Sequence, residues 1–158
     1  MGNILRCPNG NAVLLVPRSG SHSIVNAAIR SFWPELEGTS KGHPASVLPV
    51  QEDYDGTQEG LGVIVRNPIE RFRSMASHSK APLERLLRAP FHGPLPEGDF
   101  RHFKFETQFQ ECADWLGITA PLEIEDSTEE SDKPALTEYQ LQIVMGIYAQ
   151  DMKLWESL

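Results

Sequence analysis

The sequence predicts an α/β domain in which helices cover both faces of a mainly parallel sheet. Two short apolar runs, within Asn11–Val16 and Leu61–Val65, are each bounded by turn residues, as buried strands are. Each run is followed by a segment whose apolar residues recur at helical spacing, which is the strand–helix order of a parallel sheet. We therefore expect a three-layer sandwich with three to five strands between layers of helices.

The first strand leads through a tight loop into a helix. Its apolar residues lie on one helical face and are Ile24, Val25, Ala28, Ile29 and Phe32. Pro34 is expected to end this helix. Residues 38–60 are rich in glycine, proline, serine and acids, and they predict a loop with a short element near Ala45–Leu48.

The second strand leads into a helix that has three start signals. Asn67 can cap it, Pro68 suits its first position, and Glu70 can complete a capping box. The residues that follow, 80–100, contain four prolines and two glycines and are predicted to be irregular.

The C-terminal part is predicted to contain one more strand and two helices. The strand is His102–Phe105, and the next helix is expected to open at a capping box, Thr107–Gln110, and to stop at Gly117. A second capping box, Thr137–Gln140, opens the last helix. The apolar stripe of that helix is expected in the core and consists of Leu141, Val144, Met145, Tyr148, Met152 and Trp155.

Length and composition predict one cytoplasmic domain over residues 1–158. No apolar run approaches the ~18 residues of a membrane span, and the N-terminus has no signal-peptide core. Two cysteines do not form a disulfide framework, and Cys112 falls on an apolar helix face where it is expected to be buried.

The net charge of −8 is unevenly distributed. Residues 123–133 hold six acidic residues and one lysine, and we expect them to form a solvated loop. An acidic chain is unlike a nucleic-acid-binding protein, which is usually basic. An anionic ligand needs only local positive charge, and the candidates to supply it are Arg18, Arg66, Arg71 and Arg73.

The loop between the first strand and the first helix is a candidate anion site. Backbone N–H groups at a helix N-terminus are unpaired, and the helix dipole favours an anion there. Gly20 lets the backbone approach a ligand, Arg18 adds charge, and Ser19, Ser21 and Ser23 add hydroxyl groups. A strand-to-helix turn with a capping serine would use the same residues. The loop has no Walker lysine, which argues against an ATPase or an ordinary kinase.

A second candidate anion site follows the second strand. Arg66 lies at the carboxyl end of that strand, where open α/β sheets bind ligands. Ser74 comes two turns into the helix and faces the same edge if the helix folds over the sheet. The alternative is that Arg66 pairs with a carboxylate and Ser74 lies at the surface.

Taken together, the two motifs resemble those of sulfotransferases that use 3′-phosphoadenosine 5′-phosphosulfate (PAPS). Residues 17–21, PRSGS, are similar to the PKSGT or PRSGT loop of that family, which binds the 5′-phosphosulfate. The family pattern R-x-P-x-x-R-x-x-S, which binds the 3′-phosphate, is matched by Arg66, Pro68, Arg71 and Ser74. Two further stretches are similar but less specific, namely residues 103–106 and residues 133–136 with 148–151.

The resemblance implies a P-loop-like sulfotransferase fold and transfer of a sulfuryl group from PAPS to a hydroxyl or amine, which leaves the product nucleotide PAP. It implies no metal, because cationic side chains neutralise the leaving group. The nucleotide-binding residues would be Arg18, Ser19, Gly20, Ser21, His22, Ser23, Arg66 and Ser74. The acceptor, whether a small molecule, a glycan or a peptide, and the oligomeric state are not indicated.

The resemblance also implies a general base shortly after the first helix. His43 is the predicted base, because a histidine titrates near neutral pH, and Glu35 and Glu37 are the alternatives. Arg18 is expected to act on the transferring group. His78, His92 and His102 are expected to lie away from the cleft and to be structural or exposed.

Two other functions stay open from the sequence. The chain is shorter than usual members of the family and lacks their Arg-Lys-Gly loop near the C-terminus, and His22 stands where threonine is common. These departures are compatible with a reduced module that binds PAP or PAPS without turnover. A nucleotide kinase is the second alternative, against which the missing lysine argues.

Overall fold

Four strands form one mixed sheet in the computed structural model of the chain, which describes residues 2–123 and 130–158. They are β1 (Ile4–Arg6), β2 (Ala12–Leu14), β3 (Gly62–Val65) and β4 (Arg101–Lys104), and they neighbour one another in that order. β1 pairs antiparallel with β2, whereas β2, β3 and β4 are parallel. The predicted α/β class is confirmed, and the antiparallel β1 is an addition to the prediction.

Six α-helices lie within the described residues. They are α1 (Ser21–Phe32), α2 (Pro68–Ser77), α3 (Leu83–Arg88), α4 (Phe105–Trp115), α5 (Glu138–Ile147) and α6 (Ala149–Ser157). α3 falls within the segment that the sequence predicts to be irregular. The predicted last helix is two helices, because the chain leaves helical geometry at Tyr148, where φ is −108° and ψ is 31°.

Alternating side chains place helices on both faces of the sheet. Val13 and Ile64 join one core cluster with Ile24 of α1, while Leu14 and Val63 join another that includes side chains of α6. Every residue of β2 and β3 is buried, as expected for central strands covered on both sides. Cys112 lies in the α1 cluster and is fully buried, as predicted.

The segments between the strands and helices follow the predictions in part. A short 3₁₀ turn, Pro44–Val47, occupies the element expected near residue 45. α4 begins two residues before its predicted capping box, so that Thr107 lies inside the helix. The capping box of Thr137 and Gln140 is present at the start of α5. Of the predicted acidic loop, residues 124–129 lie outside the described part of the chain.

The N-terminus of α2 is fixed by one local and one distant residue. The side chain of Asn67 accepts the N–H groups of Ile69 and Glu70 at 2.9 and 3.3 Å. Glu70 does not close the predicted capping box, since the N–H of Asn67 donates instead to Glu106 at 2.8 Å. Pro68 occupies the first helical position, as predicted. None of the helices described here is long and apolar enough to cross a membrane.

We expect Asn67→Ala to lower the free energy of unfolding by about 1 kcal/mol, because the substitution leaves two N–H groups of α2 without their acceptor. Asn67→Ser keeps a capping oxygen and should lose much less. Urea denaturation of the two variants measures the difference. Equal stability of the alanine and serine variants would contradict this account of the cap.

Candidate anion-binding site

The loop between β2 and α1 is an unusual turn. Arg18 has a φ of 62°, which makes it the one described residue other than glycine in the left-handed region, and Gly20 has a φ of 81°. A side chain in this region costs roughly 1–2 kcal/mol of conformational energy. The loop must therefore be held in place by contacts from elsewhere in the fold.

Two arginines from the β3–α2 segment hold the loop. Arg66 Nη1 donates to the carbonyl of Arg18 at 2.8 Å, and Arg71 Nε donates to the carbonyl of Pro17 at 3.0 Å. Charged donors make strong hydrogen bonds to carbonyl oxygens. Two successive carbonyl oxygens of the loop are thus bound by cations. These cations neutralise the partial negative charge of the carbonyls close to the start of α1.

The N-terminus of α1 has no side-chain cap. Its N-cap residue is Gly20, and the first hydrogen bond of the helix runs from the N–H of Ile24 to the carbonyl of Gly20. The backbone N–H groups at this end of the helix are directed toward the loop. The alternative interpretation, a turn with a capping serine, is not what the structure shows.

Ser19 carries an unused hydroxyl group beside this helix end. The residue is 2% exposed, and among the described residues its Oγ has no hydrogen-bond partner. An unsatisfied buried hydroxyl costs about 1–3 kcal/mol. A nucleotide suits this group, because one of its anionic oxygens could accept the hydrogen bond that Ser19 makes to no other group of the described residues.

The second motif meets the first one directly. Ser74 is buried, with 2% of its surface exposed, and its Oγ accepts a hydrogen bond from Arg18 Nε at 3.1 Å. Arg66 makes no ion pair with any carboxylate of the described residues, and its guanidinium stacks 5.3 Å from the ring centre of Phe105. Both features differ from the alternative of a paired arginine and a surface serine.

Positive charge is concentrated around these contacts. Burial lowers the pKa of Arg66 from its usual value, the carboxylates of Glu70 and Glu106 raise it, and Arg18 lowers it further. Burial also lowers the pKa of Arg71. Arginine stays protonated in spite of such shifts, so the two residues remain permanent cations. The segment is thus cationic within a chain of net charge −8.

Arg18 extends toward α2 and not along α1. Its Nη2 donates to His78 Nε2 at 2.8 Å, next to the contact of its Nε with Ser74. Because arginine has no acceptor, this nitrogen of His78 is unprotonated. His78 is exposed, as predicted, but it contacts the candidate site through Arg18, which the sequence does not predict. Arg18, assigned from sequence to the transferring group, lies with the residues of the second motif.

Arg73 does not contribute to the site. It pairs with Glu70 at 3.0 Å and with Glu130 at 2.6 Å, and Lys133 lies 3.7 Å from both carboxylates. Its charge is thus neutralised on the side of α2 against which the chain after residue 130 lies. Of the four candidate cations, Arg18, Arg66 and Arg71 surround the loop.

His43 returns to the start of α1 from the following loop. Its Nε2 lies 3.0 Å from Ser21 Oγ, and its ring centre lies 4.1 Å from that of His22. Its Nδ1 accepts the N–H of Ala45 at 3.1 Å, so this nitrogen carries no proton. The neutral ring therefore holds its hydrogen on Nε2, the atom that faces the site.

The other histidines and the alternative bases are placed differently. Glu35 and Glu37 follow the far end of α1, whose 12 residues span roughly 18 Å from the loop. His92 lines a cavity beside Pro17. His102 lies on β4 with its ring near Phe100.

We expect Gly20→Ala to lower the free energy of unfolding by about 1–2 kcal/mol or more, because an added Cβ meets Phe109 at 2.8 Å and Phe105 at 2.9 Å in a left-handed backbone. Gly42→Ala is the matched control, since a Cβ there meets nothing within 4 Å. Thermal and urea unfolding measure both. A Gly20→Ala protein as stable as the control would show that the loop is not held as described.

Comparison of the chain with protein-family models, with curated proteins and with solved structures gives no match. The resemblance to PAPS-dependent sulfotransferases thus rests on the residues of the two motifs. The geometry adds that both motifs lie at the carboxyl ends of adjacent parallel strands and are joined by hydrogen bonds.

Proposed function

We propose that this chain binds PAPS across the ends of β2 and β3 and transfers its sulfuryl group to a hydroxyl or amine acceptor, within a P-loop-like sulfotransferase fold. The observation that carries the proposal is the direct contact between the two motifs. Arg66 binds the loop at Arg18, and Arg18 in turn binds Ser74. A nucleotide with two separate anionic groups is the ligand that suits two adjoining cationic sites.

The 5′-phosphosulfate is assigned to the N-terminus of α1. There the helix dipole and the unused hydroxyl of Ser19 favour an anion. The 3′-phosphate is assigned to Arg66, Arg18 and Ser74. In this assignment Arg18 serves mainly nucleotide binding, since its side chain lies beside Ser74. No metal is part of the proposal.

Transfer requires charge neutralisation at the leaving oxygen and removal of a proton from the acceptor. The acceptor oxygen forms a bond to sulfur while the bond from sulfur to the phosphate oxygen breaks, and a base takes the acceptor proton. His43 is the candidate base because its Nε2 lies at the start of α1. For Nε2 to accept a proton, the ring hydrogen must move to Nδ1, and Ala45 must give up its bond to that atom.

A second candidate function is a module that binds the nucleotide without turnover. The bond from Ala45 to His43 Nδ1 favours it, because a hydrogen on Nε2 makes that atom a hydrogen-bond donor and not a base. In that function His43 would donate to Ser21 or to an anionic oxygen.

The cysteines, Cys7 and Cys112, are buried free thiols, which supports a cytoplasmic location in either case.

If both motifs form one nucleotide site, PAP should bind more tightly than adenosine 5′-monophosphate, which lacks the 3′-phosphate. Arg66→Ala should remove most of this preference, at a cost of about 1.5–3 kcal/mol for a lost charged hydrogen bond. Arg73→Ala is the matched control, since Arg73 is paired with Glu70 and Glu130. Calorimetric titration measures the affinities. Equal affinity of the unmodified protein for both nucleotides would exclude the proposed site.

His43→Gln separates the two candidate functions. A glutamine amide can donate a hydrogen bond where Nε2 now lies, but it cannot act as a base. If His43 is the base, both His43→Gln and His43→Ala should reduce sulfate transfer about a hundredfold while PAP binding changes little. If His43 is instead a hydrogen-bond donor, His43→Ala should weaken PAP binding, whereas His43→Gln should bind PAP about as tightly as the unmodified protein.

The assay uses labelled donor with a panel of phenols, sugars and peptides as acceptors. Absence of both transfer and donor hydrolysis, with PAP binding intact, would favour the binding module. Full transfer activity in His43→Ala would show that the base lies elsewhere.

A further inference from the structure

A cavity of about 290 Å³ lies beside the β2–α1 loop, in a place to which the proposed nucleotide contacts do not extend. Its walls are the end of β2, with Pro17, and the segment 91–96. This volume is just below the ~300 Å³ of the smallest typical small-molecule sites, so it suits a small ligand. Pro17 belongs both to the anion-binding loop and to this wall.

The cavity contains a buried cation without an ion-pair partner. Arg71 is 7% exposed, its Nε donates to Pro17 and its Nη1 donates to the carbonyl of Gly93 at 3.1 Å. Its Nη2 makes no hydrogen bond to the described residues, and none of their carboxylates forms an ion pair with it. A buried charge without a counter-ion is costly, so a bound anion would be favoured here.

The nearby carboxylate of Asp151 does not remove this charge. Both of its oxygens accept the N–H of Leu95, at 3.1 and 3.2 Å, and it forms no ion pair with Arg71. Asp151 is itself buried, and burial raises its pKa above the usual value. It therefore acts on Arg71 at longer range, while its hydrogen bonds fix the cavity wall.

The wall is held by hydrogen bonds from side chains, although it has no regular secondary structure. Three successive attachments fix it: Tyr148 donates to the carbonyl of His92 at 2.6 Å, Arg71 donates to Gly93, and Asp151 accepts from Leu95. A site whose shape exists before binding loses less entropy when a ligand arrives. The cavity is thus preorganised by side chains of α2, of α6 and of the residue between α5 and α6.

The remaining walls are apolar and aromatic. Phe91 lines the cavity and is 61% exposed, and Tyr54 lines it as well. Two prolines, Pro94 and Pro96, complete this part of the wall. Such a surface binds a flat ring better than it binds an inorganic ion.

We propose that this cavity binds a small aromatic carboxylate, with the carboxylate on Arg71 Nη2 and the ring against Phe91 and the neighbouring apolar wall. An inorganic anion alone would leave the aromatic wall exposed to water. A neutral aromatic molecule would displace water from Arg71 without replacing its hydrogen bonds. This site stands apart from the proposed function, because none of its contacts requires a nucleotide.

Three probes separate the parts of this proposal: phenylacetate, its neutral analogue phenylacetamide, and acetate, which has no ring. Titrations followed by NMR of the full chain should show phenylacetate binding, with shifts of the amide signals of Gly93 and Leu95. Phenylacetamide and acetate should each bind at least tenfold more weakly, since one hydrogen bond to a charged group or one buried ring is worth roughly that factor.

Two variants with a matched control test the residues. Phe91→Ala should weaken phenylacetate binding about fivefold or more without unfolding the chain, because the side chain is exposed. Tyr139→Ala removes an aromatic residue that is 74% exposed and does not line the cavity, and it should change nothing. Arg71→Gln should abolish the preference for phenylacetate over phenylacetamide.

Several outcomes would overturn the proposal. They are equal affinity for the acid and its amide, acetate binding as tight as that of phenylacetate, unchanged binding in Phe91→Ala, and no binding at millimolar concentrations. If Arg71→Gln does not fold, the ligand pair and Phe91→Ala still decide the question. Titration with and without PAP keeps this test separate, because a failure of PAP to bind affects the proposed function alone.

Discussion

The candidate site depends on the hydrogen bonds that two arginines of the β3–α2 segment make to the β2–α1 loop. Arg66 and Arg71 donate to the carbonyls of Arg18 and Pro17, and these bonds hold a non-glycine residue in the left-handed region. The loop would otherwise relax, since an isolated chain avoids that conformation. The same bonds bring the first motif to the second, so the geometry of both strand ends follows from them.

The position of those arginines depends in turn on contacts distant in sequence. Glu106, at the start of α4, accepts the N–H of Asn67, and its other oxygen accepts Trp155 Nε1 of α6 at 3.0 Å. Lys104 lies 4.1 Å from the centre of the Trp155 ring. The end of β4 and the C-terminal helix thus fix the start of α2, and α2 carries Arg71 and Ser74. A cationic site can persist in an acidic chain because Arg73, on the same helix, is paired with carboxylates while Arg66 and Arg71 are not.

The candidate site could be predicted in its location but not in its internal contacts. Both motifs were found at strand ends, and Ser74 was expected near Arg66, because the periodicity of strand and helix is local information. The sequence does not predict the direction of the Arg18 side chain or its contact with His78. A long side chain has many rotamers of similar energy, and its choice depends on acceptors that only the folded chain supplies.

By itself the sequence determined the elements whose signals are local. The buried runs of β2 and β3, the cap at Asn67, the capping box at Thr137 and the stop at Gly117 all depend on residues within one or two turns.

Only the tertiary structure decided the rest. β1 is three residues long and forms because β2 is present to pair with it. Glu106 takes the place of Glu70 at the start of α2 because the fold brings its carboxylate to the N–H of Asn67. The last helix breaks at Tyr148, whose hydroxyl is bound by the carbonyl of His92, a contact between residues 56 positions apart. Contacts of this kind combine packing and hydrogen bonding over distances that no local pattern encodes.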